Sequence, residues 1–402
     1  MAEQPSIIYI YATANPDFDS SVQTKINSQI NAAKKNGISI EGWFFTAKFC
    51  PKKENDNIKW FKVPEISSGY FRSIRQKNAT YAVILKHLRK ALNANQRVYM
   101  RYWGPGLGLY KLSVFCRGKL TFNHVTIETL EINQYKPGKG SLLSNVLSLA
   151  EFKWIPLLTD HTWGRLIRIN AGKGIVNSEP IAKHQRAMAF GRYRCAIIAD
   201  GVDAETFTLH AAPPLDDEIR MIFLKGAAFD ADYNGLDRLM KGMAAGGCKR
   251  RVKLTIIGSG LEYEKGLAAI CEALAFTEFK GRMSKAELDV ELNSYHMGVG
   301  ALAVHRKGLS STSSIKNREY FARGIPFFFA HHDPDLHGNP ETLNYCFVSD
   351  GNETPIRMSD LEQFLESMYA IPHRAKAMHA LALKHMDYQA KVQQIAAFVQ
   401  QT

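Results

Sequence analysis

The chain has 402 residues, is 46% apolar and carries a formal net charge of +13. This length exceeds one ordinary hydrophobic core and predicts two domains, while the apolar content excludes a disordered chain. No apolar run reaches the roughly 20 residues that a membrane-spanning helix needs, and six scattered cysteines without a C-x-x-C pair favour a reducing cytoplasm over disulfides or a zinc site.

The first half alternates short apolar strands with amphipathic helices. The first residues lack the basic start of a signal peptide and are predicted to form the strand Ser6–Ala12 instead. The helix after this strand ends at Gly37. The strand Arg97–Tyr102 runs into a turn with Gly104, Gly106 and Gly108. The other predicted elements here are the strands Ile38–Phe45, His124–Glu128, Gly174–Asn177 and Ala196–Ala199 and the helix Ala79–Leu92.

Positive charge is concentrated in this half. Residues 1–200 hold 29 basic and 13 acidic side chains, a net +16, whereas residues 201–402 have a net charge of −3. This asymmetry indicates a polyanionic partner: an anionic membrane surface, a phosphate-bearing acceptor or nucleic acid. Solubility alone is the alternative. The candidate membrane surface, or equally a solvated basic face, consists of Arg72, Arg75, Lys77, Lys86, Arg89 and Lys90.

The second half restarts the alternation after a junction near Gly201–Pro214, so the chain predicts two doubly wound α/β domains. Two capping boxes of the form S-x-x-E open helices, one at Ser284 and one at Ser359. The predicted strands are Met221–Leu224, Lys253–Ile257, Phe276–Phe279, Met297–Leu302 and Pro326–Ala330; the helices include one with Leu236, Leu239, Met240 and Met243 on one face and a last one at Ala375–Val399.

The stretch from Lys253 to Pro326 points to a nucleoside diphosphate. Its strand enters a turn with Gly258 and Gly260, and a later helix carries Lys316 and Glu319 on one face, since residues three apart are helix neighbours. Glycine lets backbone approach phosphate, a helix N-terminus attracts anions and a carboxylate can hold a ribose. At the start of the helix, the hydroxyls of Ser313 and Ser314 are predicted to cap it and its free amides to receive pyrophosphate.

Four stretches, in the right order, resemble retaining glycosyltransferases of family 4, which have the GT-B architecture. They are Ala199–Asp203, Phe223–Met243, Leu254–Gly260 and Ser314–Pro326. The resemblance implies an α/β fold of two Rossmann-like doubly wound domains facing a cleft, with the C-terminal helix crossing back. We therefore expect a basic acceptor domain at 1–203, a nucleotide-sugar donor domain at 204–374 and a C-terminal helix at 375–402.

The resemblance also implies an activity. A sugar would pass, with retention of configuration, from a nucleoside-diphosphate sugar to a saccharide or lipid-linked acceptor, without a cofactor or metal, in the cytoplasm or at the inner membrane face. Two alternatives stay open: a degenerate relative that binds nucleotide or glycan without turnover, and an enzyme whose acceptor is nucleic acid.

Several residues match functional positions of the family. Glu319 corresponds to the glutamate that holds the ribose, with an ion pair to Arg323 as its alternative. His161 is a catalytic candidate, with a structural loop histidine as the favoured alternative; the other catalytic candidates are Arg306, Lys307 and Lys316. The other donor-side candidates are Ser313, Ser314, Ile315, Gly258, Gly260, Gly281, Arg282 and His305; the acceptor-side candidates are Thr13, Glu128 and Arg101.

The sequence departs from the family pattern at three positions. Ser311 stands where the family has a glutamate that contacts the transferred sugar, eight residues before Glu319. Ala227 and Asn234 stand where members often have an arginine and a lysine that stabilise the leaving diphosphate. Either Arg306, Lys307 and Lys316 compensate for these cations, or the protein is a weak or non-catalytic relative.

Overall fold

A computed structural model of the chain describes residues 6–13, 20–47, 57–67, 71–134, 141–225, 232–258 and 276–401. The chain divides into two compact units. The first comprises Met1–Ile198 and Lys391–Thr402, and the second comprises Ala199–Ala390. The sequence predicts the junction a few residues further along, between residues 203 and 204.

The first unit is built on a parallel sheet. Its described strands are β1 (Ile7–Thr13), β2 (Ile40–Thr46), β3 (Ile58–Lys62), β4 (Arg97–Arg101), β5 (Leu120–His124), β6 (Lys173–Val176) and β7 (Arg194–Ile197). They are ordered β3-β2-β1-β4-β5-β6-β7. Every residue of β1 is buried, as expected for a parallel strand that is covered on both faces. The strand order reverses beside β1, and ligands bind beyond the carboxyl ends of the strands at such a point.

Helices pack on this sheet. Ile84 and Leu88, on the long helix after β3, join Met100 and Phe122 of the sheet in one core. From residue 142 to residue 171 the backbone is helical throughout, with five-residue π-helical segments at Ala150–Trp154 and Asp160–Gly164. The described α-helices of the unit are Ser20–Lys35, Arg72–Ala91, Leu107–Phe115, Glu128–Gln134, Leu142–Leu149, Ile155–Thr159, Arg165–Ala171 and Glu179–Met188.

The second unit has its own parallel sheet. Its described strands are β8 (Glu218–Leu224), β9 (Arg251–Ile257), β10 (Thr277–Lys280), β11 (Met297–Val299), β12 (Phe327–Phe329) and β13 (Cys346–Val348). They are ordered β10-β9-β8-β11-β12-β13, so the order reverses between β8 and β11. The described α-helices are Leu236–Ala245, Lys285–Glu291, Ile315–Arg323, Pro334–Gly338, Pro340–Leu343, Met358–Tyr369, Arg374–His385 and Tyr388–Gln400, the last of which ends in the first unit.

Most predicted elements lie within a few residues of the observed ones. The capping box at Ser284 is confirmed, because its hydroxyl accepts the N–H of Glu287 while the Glu287 carboxylate accepts the N–H of Ser284. Leu236, Leu239, Met240 and Met243 are all buried in the core of the second unit, as predicted.

Three predictions about elements are wrong. The strand predicted at His124–Glu128 ends at His124, and Glu128 begins a helix. The helix at Met358–Tyr369 has no capping box, because Glu362 accepts the N–H groups of Lys249 and Arg250 instead.

The third wrong element is the last helix, which is two helices rather than one. They are separated at Met386 and Asp387. The Asp387 carboxylate accepts the N–H of Ala204 at 2.8 Å and the N–H of Gln389 at 2.7 Å. This carboxylate therefore anchors the break to an earlier loop and caps the helix that follows.

Candidate functional site

The helix Ile315–Arg323 follows the carboxyl end of β11 and carries the strongest donor-side candidates. Ser314 is its N-cap residue but makes no side-chain cap, and the Ser313 hydroxyl instead accepts the N–H of Asp200 at 2.7 Å. The predicted capping role of these two hydroxyls is therefore wrong. No side chain caps the first turn in the described structure, so its amides remain suited to an anionic ligand.

A buried ion network holds this helix in place. The guanidinium of Arg318 donates to both carboxylate oxygens of Asp333, each at 2.9 Å, and to Asp335 at 2.9 Å. It also donates to the Ser314 carbonyl at 3.0 Å. Because Arg318 is almost fully buried, these bonds fix where the helix begins relative to β12.

Glu319 is half-buried, and among the described residues its carboxylate has no hydrogen bond or ion pair. The alternative pairing with Arg323 is not observed, because the Arg323 guanidinium pairs with Asp289 and lies 4.5 Å from the ring centroid of Phe207. Burial raises the pKa of Glu319, while Arg323, Lys285 and Lys316 oppose that rise. The carboxylate is therefore available to a ligand.

Lys316 lies one turn earlier on the same helix. Its Nζ is 3.3 Å from Oδ1 of Asn234 and 3.8 Å from the ring centroid of Phe223. Burial lowers the pKa of Lys316 to about 7, although the Glu319 carboxylate opposes the shift. The ammonium group thus lies beside Asn234, the position at which the family resemblance leads us to expect a lysine.

The basic run His305–Lys307 is largely neutralised by neighbouring acidic groups. Arg306 donates to both oxygens of Asp237, each at 2.9 Å, and to Glu353 at 2.9 Å. His305 contacts Glu353 at 2.6 Å, and Lys307 lies 3.8 Å from the ring centroid of Tyr233. Of the three proposed replacement cations, Lys316 alone lies against Asn234 in the described structure.

Replacing Arg306 with glutamine should therefore change nucleotide affinity by less than threefold, because the charge removed is already balanced by Asp237 and Glu353. Calorimetric titration of the variant with a nucleoside diphosphate would check this. A loss of tenfold or more would return Arg306 to the phosphate site.

The remaining donor-side candidates lie in turns and at the start of the helix. Gly258 donates to the Lys280 carbonyl at 3.2 Å, and its φ of 148° and close approach to Lys225 leave no room for a side chain. Gly281 and Arg282 are exposed after β10, and Ile315 is exposed at the first turn of its helix. Gly260 and Ala227 lie outside the described residues.

Ser311 is buried rather than open to solvent. Its hydroxyl is 3.1 Å from Nδ1 of His332, and the two residues form an isolated parallel bridge. The position at which the resemblance leads us to expect a carboxylate therefore holds a serine–histidine pair.

In the first unit, Glu128 belongs to a buried network of charged groups. Its carboxylate lies 2.9 Å from Nδ1 of His124, 2.9 Å from the Gln185 amide and 3.4 Å from the Arg168 guanidinium. Arg168 donates to Asp160 at 2.8 Å, and both of these side chains are fully buried. Burial raises the pKa of the Glu128 carboxyl, but His124 and Arg168 outweigh burial and lower it to about 2.

Within the described residues, Glu128, Asp160 and His184 form the group with metal-ligand character, since each offers a ligand atom within 4.8 Å of the others. The guanidinium of Arg168 already supplies positive charge to both carboxylates. We therefore interpret the group as an ion-pair network. The expectation that the protein needs no metal stays a prediction.

The other acceptor-side candidates are placed differently. Arg101, at the end of β4, lines a cavity of about 560 Å³ together with Glu128. Thr13 is buried at the end of β1. His161 is exposed on the π-helical segment Asp160–Gly164, so the loop predicted for it is wrong.

No protein-family model matches the sequence, and no curated protein matches it. Solved structures do share its fold. A sucrose-phosphate synthase from Thermosynechococcus elongatus is 15% identical, covers 98% of each chain and has a TM-score of 0.66. A glycosyltransferase from Rickettsia africae is 11% identical, covers 98% of each chain and has a TM-score of 0.64.

The Anabaena protein HepE, solved in complex with UDP, is 12% identical over 98% of this chain and 99% of its own, with a TM-score of 0.58. At sequence identities this low, the structural similarity shows that the fold is shared. The chain has two Rossmann-like domains with parallel sheets, as in GT-B glycosyltransferases, which confirms the predicted fold class. In the part of the chain that the structure describes, no helix is long and apolar enough to span a bilayer.

Proposed function

We propose that this protein transfers a sugar from a nucleoside-diphosphate sugar to an acceptor, and that the second unit binds the donor. The observation that carries the proposal is Glu319, a half-buried carboxylate without a hydrogen bond or ion pair among the described residues. It lies one helical turn from Lys316, which is also half-buried. A carboxylate and an ammonium group one helical turn apart suit a ligand that has hydroxyls and negative charge. HepE, which shares the fold, was solved with UDP and with UDP-glucose.

Each group has a role in this proposal. Glu319 accepts hydrogen bonds from the ribose hydroxyls, while Lys316 and the amides of the helix Ile315–Arg323 stabilise the departing diphosphate. The bond between the anomeric carbon and the diphosphate oxygen breaks, and a bond from that carbon to the acceptor oxygen forms on the same face. A diphosphate oxygen takes the acceptor proton, so configuration is retained without a protein nucleophile or a metal.

The test is a panel of UDP, GDP, ADP and CDP, with and without attached sugars, in thermal-shift and calorimetric measurements. A ligand that binds only the folded protein raises the melting temperature by mass action. We expect one base to be preferred and its sugar conjugate to be turned over in the presence of acceptor. If no nucleotide shifts the melting temperature, the donor proposal is wrong.

Binding of the preferred nucleotide should take up a proton near neutral pH. Lys316 has its pKa lowered to about 7 in the free protein, and a diphosphate favours its charged form. Affinity should fall by up to about tenfold per pH unit above pH 7.5, where phosphate is already ionised. Calorimetry in buffers with different ionisation enthalpies measures this uptake.

Lys316→Arg provides the matched control for this measurement, since arginine stays charged throughout the range. The variant should bind without proton uptake and with a flat pH profile. If its proton uptake equals that of the unmodified protein, another group takes up the proton and the assignment of this titration to Lys316 is wrong.

The second candidate is a protein that binds nucleotide or glycan without turnover. It is favoured by Ser311 and Asn234, which replace an expected carboxylate and an expected cation. Any transfer or donor hydrolysis by the pure protein, lost in Glu319→Ala, would eliminate this candidate. Binding without turnover across acceptors would support it.

For the acceptor side, we propose a saccharide or lipid-linked anion bound by the basic first unit at an anionic membrane surface. The helix Arg72–Ala91 exposes Arg72, Arg75, Lys86, Arg89 and Lys90. Such a surface should bind anionic but not neutral vesicles. If it serves nucleic acid instead, duplex binding should occur and should fall steeply with salt.

A further inference from the structure

The first unit contains a cavity of about 560 Å³ at the carboxyl ends of β4 and β5, and the proposed donor chemistry does not use it. Aromatic and aliphatic side chains form much of its wall, among them Trp103, Phe152, Pro156 and Trp163. The ring of Trp163 packs against Tyr110 with centroids 4.9 Å apart, which holds that wall in place. Cavities of this size and character bind small organic molecules through a few polar groups.

Two cations line the cavity without a carboxylate partner among the described residues, Lys77 and Arg101. The ammonium group of Lys77 lies 5.9 Å from the ring centroid of Trp103. Its burial lowers the pKa of Lys77. A half-buried cation is costly unless an anion accompanies it, so a ligand can supply the negative partner that Lys77 and Arg101 lack in the described structure.

The carboxylates in the same wall are already engaged. Glu128 is held by His124, Gln185 and Arg168. Glu151 accepts the N–H of Ser73 at 2.8 Å. Neither carboxylate forms an ion pair with Lys77 or Arg101 in the described structure.

Backbone at the start of the helix Leu107–Phe115 completes the site. Gly106 is the N-cap residue and offers no capping side chain of its own. The Oδ1 of Asn78 takes one first-turn amide, that of Gly108, at 3.0 Å. Gly104 has a φ of 97°, and a Cβ there would lie 3.1 Å from Nζ of Lys77. The absence of a side chain at Gly104 thus lets the ammonium approach the loop that precedes the helix.

We propose that this cavity binds the phosphate group of a phosphorylated ligand, with the phosphate between Lys77, Arg101 and the N-terminus of the helix Leu107–Phe115 and the carbon body against Trp103 and Trp163. That the ligand is the glycosyl acceptor rests on the proposed function; the phosphate site itself does not. The carbon body has two sources, a sugar phosphate or a lipid phosphate.

Tryptophan fluorescence reports on the first unit, and two of its tryptophans, Trp103 and Trp163, line the cavity. All five tryptophans of the chain, at positions 43, 60, 103, 154 and 163, belong to the first unit. Titrations with glucose, glucose 6-phosphate, farnesyl phosphate and inorganic phosphate should therefore show cavity binding without interference from donor binding in the second unit.

We expect one of the two phosphorylated organic probes to bind at least tenfold more tightly than inorganic phosphate, and glucose not to bind. Tighter glucose 6-phosphate binding identifies a sugar phosphate, and tighter farnesyl phosphate binding identifies a lipid phosphate. Lys77→Met and Arg101→Met should each weaken binding about tenfold or more. Lys183→Met, at an exposed lysine of the first unit that lies outside the cavity wall, should not.

Equal weak binding of all anions, or equal effects of Lys77→Met and Lys183→Met, would overturn the proposal. Nucleotide affinity, measured by calorimetry, should be unchanged in Lys77→Met. If phosphorylated probes bind but no nucleotide does, the cavity proposal stands and the donor proposal fails. If a nucleotide binds but no phosphorylated probe does, the donor proposal stands and the cavity proposal fails.

Discussion

Replacing Arg168 with methionine is expected to lower the free energy of unfolding of the first unit by about 3–5 kcal/mol, the usual effect of removing one partner from a buried ion pair. Arg168 is fully buried and is the cation shared by Asp160 and Glu128. Methionine fills a similar volume, so the loss comes from two carboxylates left without their positive partner.

Denaturant unfolding followed by tryptophan fluorescence measures this loss in the first unit alone, because the second unit contains no tryptophan. Arg186→Met is the matched control. Its guanidinium pairs with Glu179 at 3.0 Å on the surface, and such pairs contribute at most about 1 kcal/mol. Equal destabilisation by the two substitutions would show that the buried network does not stabilise the unit.

The pH dependence gives a second readout. In the unmodified protein the pKa of Glu128 is lowered from 4.5 to about 2. A carboxylate with a lowered folded-state pKa stabilises the fold above its unfolded value, and that contribution disappears as the pH falls through the folded value. The difference between Arg168→Met and the unmodified protein should therefore shrink between pH 4.5 and pH 2.

The fold was largely predictable because its strands are short apolar runs in a regular alternation. β1 and β9 stand out in the sequence for this reason, and each is paired on both sides by parallel strands. β5, at Leu120–His124, was predicted four residues too late because Val125 and Ile127 continue its apolar pattern. The contact of Glu128 with Gln185, 57 residues further along the chain, could not be recognised from the local pattern.

The helical run from residue 142 to residue 171 was missed altogether. Ser141 was an available signal, since its hydroxyl caps the first helix by accepting the N–H of Ser144 at 3.2 Å. Asp160 and Arg168 are eight residues apart, which places them on one helix face. Their partnership with Glu128, 40 residues from Arg168 along the chain, depends on tertiary packing that no local pattern encodes.

The donor side likewise has features that the sequence predicts and features that it does not. The three-residue spacing of Lys316 and Glu319 could be recognised in the sequence because both residues lie within one helix. The neutralisation of Arg306 could not be predicted, because its partner Glu353 lies 47 residues further along the chain. Residues that form local motifs could thus be chosen as candidates from the sequence, whereas the charges that remain unpaired among the described residues could be identified only in the folded unit.

Replacing Glu319 with alanine is expected to weaken binding of the preferred nucleotide by about 1.5–3 kcal/mol, or roughly 10- to 150-fold, the scale of losing hydrogen bonds to a charged group. The carboxylate has no hydrogen bond or ion pair among the described residues, so the substitution removes no such interaction from the free protein. The melting temperature without ligand should therefore change little while the affinity falls.

Glu341→Ala is the matched control, because this exposed glutamate of the second unit contacts only Lys384 and His385 in the described structure. Its nucleotide affinity should be unchanged. Glu319→Ala should also lower the pKa of Lys316 further, since the Glu319 carboxylate is the group that raises it. The fall in affinity with pH should then begin at a lower pH than in the unmodified protein. Full affinity with an unchanged pH profile would remove Glu319 from the donor site.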